Sequence, residues 1–330
     1  MADIAERMPE NRPEKWPLSA AQKGIWLGQQ LSPQSPLYNT AECVEISGCL
    51  DPEVFERSLR QMVTEAETLN LRFDIEKAEP VQSVEANLNW ALPFLDLRSK
   101  ADSRQAAWDW MKQNLSQRAN LRTGELFAQA LIQIAPDRYL WYQRIHHIAI
   151  DGYGYSLLGR RVADIYTALV QGQAVPPSPF ASLRAVLAED IAYQASEQKQ
   201  RDRTYWLKAL AAAPAPVSLS SKTSPASALC LHQSSTLPPE VFAHLQTVAR
   251  QTQASWPDIL LAVTAIYLYQ VTGAAALIIG LPLMGRLGSA ALRVPTMVMN
   301  IVPLRVSVRP DSCFSDLVKQ IRQRLLAMRP

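Results

Sequence analysis

Hydrophobic and polar positions follow a β pattern and then a helical pattern in the middle of the chain. Residues 126–135 and 138–147 are rich in β-forming side chains, and Pro136 and Asp137 between them are typical of a hairpin turn. Farther along, apolar residues recur at helical spacing over residues 156–170. The pattern therefore predicts a β-hairpin that leads, through a short loop, into a helix.

The alternation also assigns the side chains of the second hairpin strand to two faces, because successive side chains of a strand point to opposite sides of a sheet. One face is predicted to carry Trp141, Gln143, Ile145 and His147. The other is predicted to carry Tyr142, Arg144 and His146. The two adjacent histidines at the end of this strand are therefore expected to have different surroundings and different roles.

The first half of the chain alternates strands and helices. A strand is predicted near residues 39–48, followed by a helix with Asp51 as N-cap and Pro52 at its first position. A second helix is predicted around Met111, and residues 175–180 are rich in proline. With the hairpin, this alternation predicts a first α/β domain.

The second half restarts the alternation after a linker. Helices are predicted over residues 181–197 and 201–212, and the Ala-, Pro- and Ser-rich residues 213–228 are predicted to form the linker. A strand is then predicted near residues 229–237. The later predicted elements are a helix from Pro239, a buried helix from Trp256, strands near Leu277 and Val298, and a helix over residues 314–328. A chain of 330 residues with this pattern is expected to form two domains.

Composition excludes several classes of function. The net charge of +3 is too small for a nucleic-acid-binding protein, and no basic run alternates with aromatic residues. The first 14 residues lack an apolar stretch, so no secretory signal is expected, and the apolar residues 259–271 are too few to span a bilayer. The cysteines have neither metal nor redox spacing: Cys43, Cys49, Cys230 and Cys313. A cytoplasmic protein with free thiols is predicted.

Residues 146–152 hold half of the four histidines of the chain, followed by Asp151 and Gly152. An imidazole is the side chain best suited to moving a proton near neutral pH, and loops that follow a strand often hold catalytic groups. Packing is the alternative role for a His-His pair. A zinc site is not expected, because His232 and His244 are remote in sequence and no cysteine pair completes a ligand set.

The string H-H-x-x-x-D-G at residues 146–152 resembles the core motif of condensation domains of nonribosomal peptide synthetases, which belong to the chloramphenicol acetyltransferase-like superfamily. Four other segments resemble motifs of this family, in the same order. They are S-x-A-Q-x-x-x-W at residues 19–26, Tyr-Trp at 205–206, Gly-Arg at 285–286 and N-x-x-P-L-R at 300–305. The resemblance extends from about residue 16 to the end of the chain.

The resemblance is closer to one subgroup. Residues 141–144, 151–154 and 286–292 are similar to the first condensation domain of catecholate siderophore synthetases, such as enterobactin synthase component F. In fold, the family implies α/β architecture with two chloramphenicol-acetyltransferase-like lobes in a V shape. The implied organisation is a tail (1–15), an N-terminal lobe with the histidine motif (16–180), helices and linker (181–228) and a C-terminal lobe (229–330). The second lobe is expected to be incomplete by the family's measure, as a fragment or a truncation.

The chain departs from the family pattern in two segments. Where many condensation domains carry R-H-E-x-L-R-T-x-F, Glu65 and Asn70 replace the two usual arginines, and only Arg72 lies nearby. Thr296 stands where a glycine usually precedes the N-x-x-P-L-R segment. The first departure leaves two candidate partners for Asp151, which are Arg286 and Arg72.

The resemblance implies roles for the residues of the motif. His147 is expected to act as general base or positioning acceptor, and the backbone N–H of Gly152 to donate to the oxyanion, unless this glycine serves only a positive φ. Asp151 is expected to hold the loop through an ion pair, and His146 to be buried and hydrogen-bonded. Trp206 and Asn300 are candidates for the substrate channel. Their alternative roles are packing for Trp206 and a strand cap for Asn300.

The implied activity is amide-bond formation between a donor acyl or aryl thioester and the amine of an acceptor aminoacyl thioester, in siderophore biosynthesis. The implied partners are donor and acceptor carrier proteins, whose 4'-phosphopantetheine arms carry the substrates, and an adjacent adenylation domain. No directly bound cofactor or metal is implied. The alternatives are a non-catalytic fragment that docks carrier proteins, and an epimerisation or other acyltransferase relative with the same motif.

Overall fold

The structure, a computed structural model, describes residues 14–85, 90–123, 126–220 and 233–328, which divide into two units. The first unit runs to Ala195 and takes in Met284–Met299, and the second comprises Ser196–Leu283 and continues from Asn300. The sequence-based boundaries place residues 284–299 in the second lobe and all of residues 181–195 in the connection. In the structure, residues 284–299 and the residues up to Ala195 group with the first unit.

The first unit contains two sheets. Strands β1 (Lys15–Pro17), β3 (Leu71–Glu76) and β4 (Glu79–Val84) form an antiparallel sheet in the order β1-β4-β3. Strands β2 (Asn39–Ser47), β5 (Phe94–Asp96), β6 (Phe127–Ala135) and β7 (Arg138–His146) form the other, in the order β2-β7-β6-β5, with β5 parallel to β6. The helices of this unit are α1 (Ala20–Leu31), α2 (Pro52–Glu65), α3 (Ser103–Leu115), α4 (Gly152–Val170) and α5 (Leu183–Gln194).

The two central strands of this sheet, β6 and β7, are buried on both faces. Trp141 and Ile145 belong to the larger core, where Trp141 makes an edge contact with Phe55 of α2 at a ring-centroid distance of 5.5 Å. Leu140 and Tyr142 point to the opposite side and pack in the smaller core against α3. The last residues of the hairpin therefore lie at the end of an inner strand that is packed on both faces.

The hairpin and the helices predicted for the first half are confirmed, with shifted ends. Strand β7 ends at His146, so that His147 is the first residue of the loop and not the last of the strand. Helix α4 begins at Gly152, four residues before the predicted residue 156, because the Asp151 side chain caps it by accepting from the Gly154 N–H. Helix α2 begins at Pro52 with Asp51 as its N-cap, as predicted.

The second unit has helices α6 (Glu197–Ala209), α7 (Pro239–Gln251), α8 (Trp256–Thr272) and α9 (Phe314–Ala327) and the antiparallel pair β8 (Ala276–Leu283) and β9 (Asn300–Ser307). The strand predicted near Val298 starts two residues later. The strand predicted near residues 229–237 is not formed at residues 233–237, and residues 229–232 lie outside the described part. That apolar run is short, and periodicity alone does not separate such runs from coil.

Helix α8 is buried on one face only, which corrects the prediction of a buried helix. Ile259, Ala262 and Ala265 lie in the core of the second unit. Val263 and Tyr267 are exposed, at 48% and 56%. Of the helices in the described residues, none is both long and apolar enough to cross a membrane. Of the predicted tail, residues 1–13 lie outside the described part, as do residues 221–228 of the predicted linker and the residues Cys230 and His232.

Candidate active site

His147 is held at the end of β7 by two hydrogen bonds that leave one ring nitrogen free. Its backbone N–H donates to the Tyr38 carbonyl at 2.7 Å, and its Nδ1 lies 2.6 Å from the Ile150 carbonyl oxygen. Because a carbonyl only accepts, Nδ1 must carry a proton, so that in the neutral form of the ring Nε2 holds the lone pair. None of the described residues hydrogen-bonds to Nε2, and the side chain is partly exposed. A neutral imidazole with a free Nε2 is the form in which histidine accepts a proton.

His146 points to the other side of the sheet and is 2% exposed. Its Nε2 lies 3.2 Å from Gln29 Oε1, and its Nδ1 accepts from the Ile148 N–H at 3.2 Å. Gln29 donates its amide to the Ser32 and Ser35 carbonyls, so its oxygen faces the imidazole and Nε2 donates. Burial lowers the pKa of His146 to about 3, and the neighbouring His147 and Arg144 act in the same direction. His146 thus braces the loop as a neutral side chain.

The buried imidazole predicts a pH dependence of stability. The pKa of His146 is about 3 in the folded protein and 6.5 in its ordinary range, so the unfolded chain binds one more proton between these values. Its contribution is complete above pH 6.5 and declines as the pH falls toward 3, by about 1.4 kcal/mol per pH unit at most. Urea unfolding of the protein and of His146→Gln between pH 7 and pH 4 measures it. Equal pH slopes for the two proteins would contradict the assignment.

The Asp151 carboxylate joins the loop to residues 284–299. Its Oδ1 accepts from the Gly154 N–H at 3.1 Å and from Arg286 Nη2 at 2.7 Å, and its Oδ2 accepts from the backbone N–H groups of Val298 and Met299, both at 3.2 Å. The side chain is 2% exposed. These four donors tie the buried carboxylate to the start of α4 and to residues 284–299.

Arg286 is fully buried, and both of its terminal nitrogens have acceptors. Besides Asp151, it donates to the Val294 carbonyl from Nη1 at 2.9 Å, to the Thr296 carbonyl from Nη2 at 2.6 Å, and from Nη1 to the Ala291 carbonyl. The Tyr153 ring lies 4.7 Å from the guanidinium carbon. The guanidinium therefore organises the whole segment 286–296 around Asp151.

Of the two arginines considered as partner of Asp151, the structure places Arg286 there and not Arg72. Arg72 Nε lies 2.7 Å from Glu85 Oε2, and its Nη1 donates to the neighbouring Leu71 carbonyl. Arg72 lies on β3 and engages its own sheet, which removes it from the support of the histidine loop. Thr296 is 1% exposed, and its carbonyl is one of the acceptors of Arg286.

The two residues that replace the family's arginines have partners of their own. Glu65 forms a double hydrogen bond with the buried Arg161 of α4, with both N···O distances at 2.6 Å. Burial alone would raise the pKa of Glu65, but hydrogen bonds from Arg161, Gln61 and Ser178 outweigh it and lower the pKa. Asn70 donates to the Val63 carbonyl at the end of α2. Glu65 therefore ties α2 to the helix that starts at the histidine loop.

Gly152 is the first residue of α4, and its N–H donates to none of the described residues. Its φ is not positive, and a Cβ at this position would meet nothing within 4 Å. The positive-φ explanation for this glycine is therefore wrong. A free N–H at a helix N-terminus attracts negative charge, which fits an oxyanion donor.

Trp206 and Asn300 belong to the second unit. Trp206 packs edge-on against Tyr205 at a centroid distance of 5.2 Å. Asn300 begins β9 and accepts the Ile301 N–H on its own Oδ1 at 2.8 Å. These local contacts are those of an aromatic pair and a strand cap.

Sequence reasoning did not assign a supporting role to two glutamines that hold the histidine loop. Gln22 forms a capping box with Ser19 at the start of α1, and its Nε2 reaches Gln82 Oε1 at 2.9 Å and the Ile148 carbonyl at 3.4 Å. Gln29, two turns later, orients His146 as described. The S-x-x-Q spacing signals the capping box, but nothing local indicates that α1 packs on the histidine loop.

Comparison with known proteins identifies relatives of the whole chain. A family model described as the condensation domain matches residues 13–330. The chain is 42% identical over 322 residues to a dimodular nonribosomal peptide synthase of Bacillus subtilis (strain 168), covering 98% of this chain and 14% of that protein. It is 33% identical over 318 residues to enterobactin synthase component F of Escherichia coli (strain K12), covering 95% and 24%. The chain thus spans less than a quarter of these relatives.

Comparison with solved structures points to the same family. The starter condensation domain of rhizomide synthetase, a mutant in complex with C8-CoA, matches with a TM-score of 0.88 and 38% identity over 95% of this chain and 71% of that one. The first condensation domain of the calcium-dependent antibiotic synthetase, in complex with a substrate analogue, matches with a TM-score of 0.89 and 33% identity over 96% and 75%. Condensation domains of nonribosomal peptide synthetases are acyltransferases that form amide bonds, and this chain, with its α/β fold and its H-H-x-x-x-D-G loop, belongs to their family.

Proposed function

We propose that this chain catalyses amide-bond formation between a donor thioester and the amine of an acceptor aminoacyl thioester. The observation that carries the proposal is that, among the described residues, neither Nε2 of His147 nor the N–H of Gly152 on the same loop has a hydrogen-bond partner. The acceptor nitrogen attacks the thioester carbonyl carbon, and a tetrahedral oxyanion forms. The C–S bond then breaks, and the donor arm leaves as a thiol after taking up the proton that the amine has shed.

His147 serves as the acceptor for that proton, or holds the amine in place for attack. A free α-amine has a pKa of about 8, so a sizeable fraction is already neutral near pH 7.5, and positioning then contributes as well as basicity. The Gly152 N–H donates to the oxyanion. Asp151 and Arg286 fix this N–H in place, and His146 braces the other side of the loop. The proposed reaction needs no metal and no directly bound cofactor.

Both substrates are proposed to arrive on the 4'-phosphopantetheine arms of donor and acceptor carrier proteins in the cytoplasm, with an adenylation domain adjacent in the complete synthetase. Similarity to enterobactin synthase component F supports a siderophore pathway, in which the donor is a 2,3-dihydroxybenzoyl or other aryl group and the acceptor carries serine or glycine. The complex of the rhizomide starter domain with C8-CoA makes a linear acyl group the competing donor class.

Intact-protein mass spectrometry of the acceptor carrier tests the proposal. An acceptor carrier loaded with serine is incubated with this chain and with donor carriers that hold dihydroxybenzoyl, benzoyl or octanoyl groups. The acceptor is expected to gain the mass of the dihydroxybenzoyl group. A gain from octanoyl alone would reassign the donor class. No gain from any donor, with a folded protein that binds the carriers, would favour the non-catalytic docking function.

A further inference from the structure

The second unit contains a cavity of about 560 Å³ that is remote in sequence from the histidine motif. Helix α6 contributes Tyr205 and Lys208, strand β9 contributes Arg305, and helix α9 contributes Gln323 and Arg324. Helical residues three and four apart lie on the same face, so each helix offers one face to the cavity. The site is assembled by three elements of one unit.

The lining of this cavity is basic. Lys208, Arg305 and Arg324 surround it, and within the described part of the chain all its other lining residues are uncharged. A cleft lined by charges of one sign concentrates its field and attracts counter-ions. Three cations that share a cavity without a carboxylate repel one another, and an anion between them would relieve that repulsion.

One buried donor at the cavity lacks an acceptor, and the exposed donors of Lys208 and Gln323 lie beside it. Arg324 Nε is buried and hydrogen-bonds to none of the described residues. Lys208, Gln323 and the Tyr205 hydroxyl likewise make no hydrogen bond within the described residues. Arg305 uses Nη1 on the Ala211 carbonyl at 3.0 Å. A buried donor without an acceptor is costly and rare, and here it coincides with an excess of positive charge.

We propose that this cavity binds a phosphate ester. A phosphate presents several oxygens that accept charge-assisted hydrogen bonds from a guanidinium and an ammonium together. The volume falls in the range of small-molecule sites, so it accommodates an organic group beside the phosphate, against the Tyr205 ring. The proposal rests on the cavity and does not depend on the proposed condensation activity. The ester is either a free small molecule or the phosphodiester of a carrier protein's phosphopantetheine arm.

Isothermal titration calorimetry of the full chain tests the proposal with glycerol 3-phosphate, inorganic phosphate and glycerol. Glycerol 3-phosphate is expected to bind more tightly than inorganic phosphate, and glycerol not to bind. Arg324→Gln is expected to weaken the binding by roughly 10-fold or more, since a hydrogen bond to a charged group is lost. Arg324→Lys, which keeps the charge and loses the planar fork, is expected to lie between. Melting temperatures show that the variants fold.

Arg322→Gln is the matched control, because Arg322 lies on α9 but lines a different cavity, where it donates to the Gln253 carbonyl. The affinity of this variant for glycerol 3-phosphate is expected to stay within about 2-fold of that of the unmodified protein, since the substitution removes the same charge at a place away from the site. Undetectable binding of glycerol 3-phosphate at millimolar concentration, or equal affinity in Arg324→Gln, would overturn the proposal.

Carrier proteins distinguish the two sources of the ester. Tighter binding of the phosphopantetheinylated carrier than of its unmodified form, lost in Arg324→Gln, would support the carrier-borne phosphodiester. A free ester would be supported if glycerol 3-phosphate binds and neither form of the carrier binds at the cavity. Equal binding of both carrier forms, lost in Arg324→Gln, would overturn the phosphate assignment in favour of an acidic protein surface.

Discussion

Replacement of His147 by alanine is expected to lower the rate of amide formation by about 10²–10⁴-fold, the usual contribution of a positioned general base. The substitution removes the only ring nitrogen of the motif that is both in its accepting form and unpaired among the described residues. The fold is expected to persist, because the loop keeps the His147 backbone bond to Tyr38 and the Asp151 contacts. Initial rates of acceptor acylation, with saturating carriers, measure the effect.

His244→Ala is the matched control for His147→Ala. His244 is an exposed imidazole on α7 of the second unit, and its loss is expected to leave the rate unchanged. His147→Gln separates the two roles, since an amide oxygen accepts a hydrogen bond but takes up no proton. Activity retained by His147→Gln within about 10-fold would assign positioning, whereas a loss as large as that of alanine would assign base catalysis. Full activity of His147→Ala would remove this residue from the mechanism.

The hairpin and the opposed histidines were predictable because their signals are local. The period of two along β7 assigns each side chain to a face whatever lies beyond, and the cap at Asp51 and the proline at Pro52 identify a helix start within a few residues. The start of α4 was predicted four residues too late, because that prediction also rested on local residue preferences. Gly152 and Gly154 are poor helix formers, and only the Asp151 cap extends the helix back to them.

The long-range partners were not predictable in the same way. Arg286 lies 135 residues from Asp151, and nothing local to either residue distinguishes it from Arg72. The Glu65–Arg161 pair likewise depends on how α2 packs against α4. Sequence alone located the histidine loop, and packing between distant segments decides which charges and amides hold it. The grouping of residues 284–299 with the first unit depends on the same long-range contact between Arg286 and Asp151.

Replacement of Arg286 by methionine is expected to lower the free energy of unfolding of the first unit by about 3–5 kcal/mol, the cost of breaking a buried ion pair from one side. Asp151 would keep three backbone donors but lose the cation that balances its charge at 2% exposure. Urea unfolding followed by tryptophan fluorescence measures the change. Because the chain has two units, the transition that shifts must be assigned to the first, for example with a probe at Trp141.

Arg98→Met is the matched control. Arg98 pairs with Asp96 at 2.6 Å, but both side chains are more than 40% exposed, and such a pair contributes about 0–1 kcal/mol. The double variant Asp151→Asn with Arg286→Met removes both charges. Its loss of unfolding free energy is expected to be smaller than the sum of the losses of the two single variants, because the double variant leaves no buried charge unpaired. A loss for Arg286→Met no larger than that for Arg98→Met would contradict the burial argument.

The same substitution separates stability from catalysis. Arg286 touches neither His147 nor the free Gly152 N–H, yet it fixes the N-cap carboxylate from which α4 starts. At temperatures where Arg286→Met is still folded, the rate of amide formation is therefore expected to fall. The His147 bonds to Tyr38 and Ile150 do not involve this pair, so the general base itself stays in place. A folded Arg286→Met variant with full activity would show that the position of the Gly152 N–H does not matter for the reaction, and would remove the oxyanion role proposed for it.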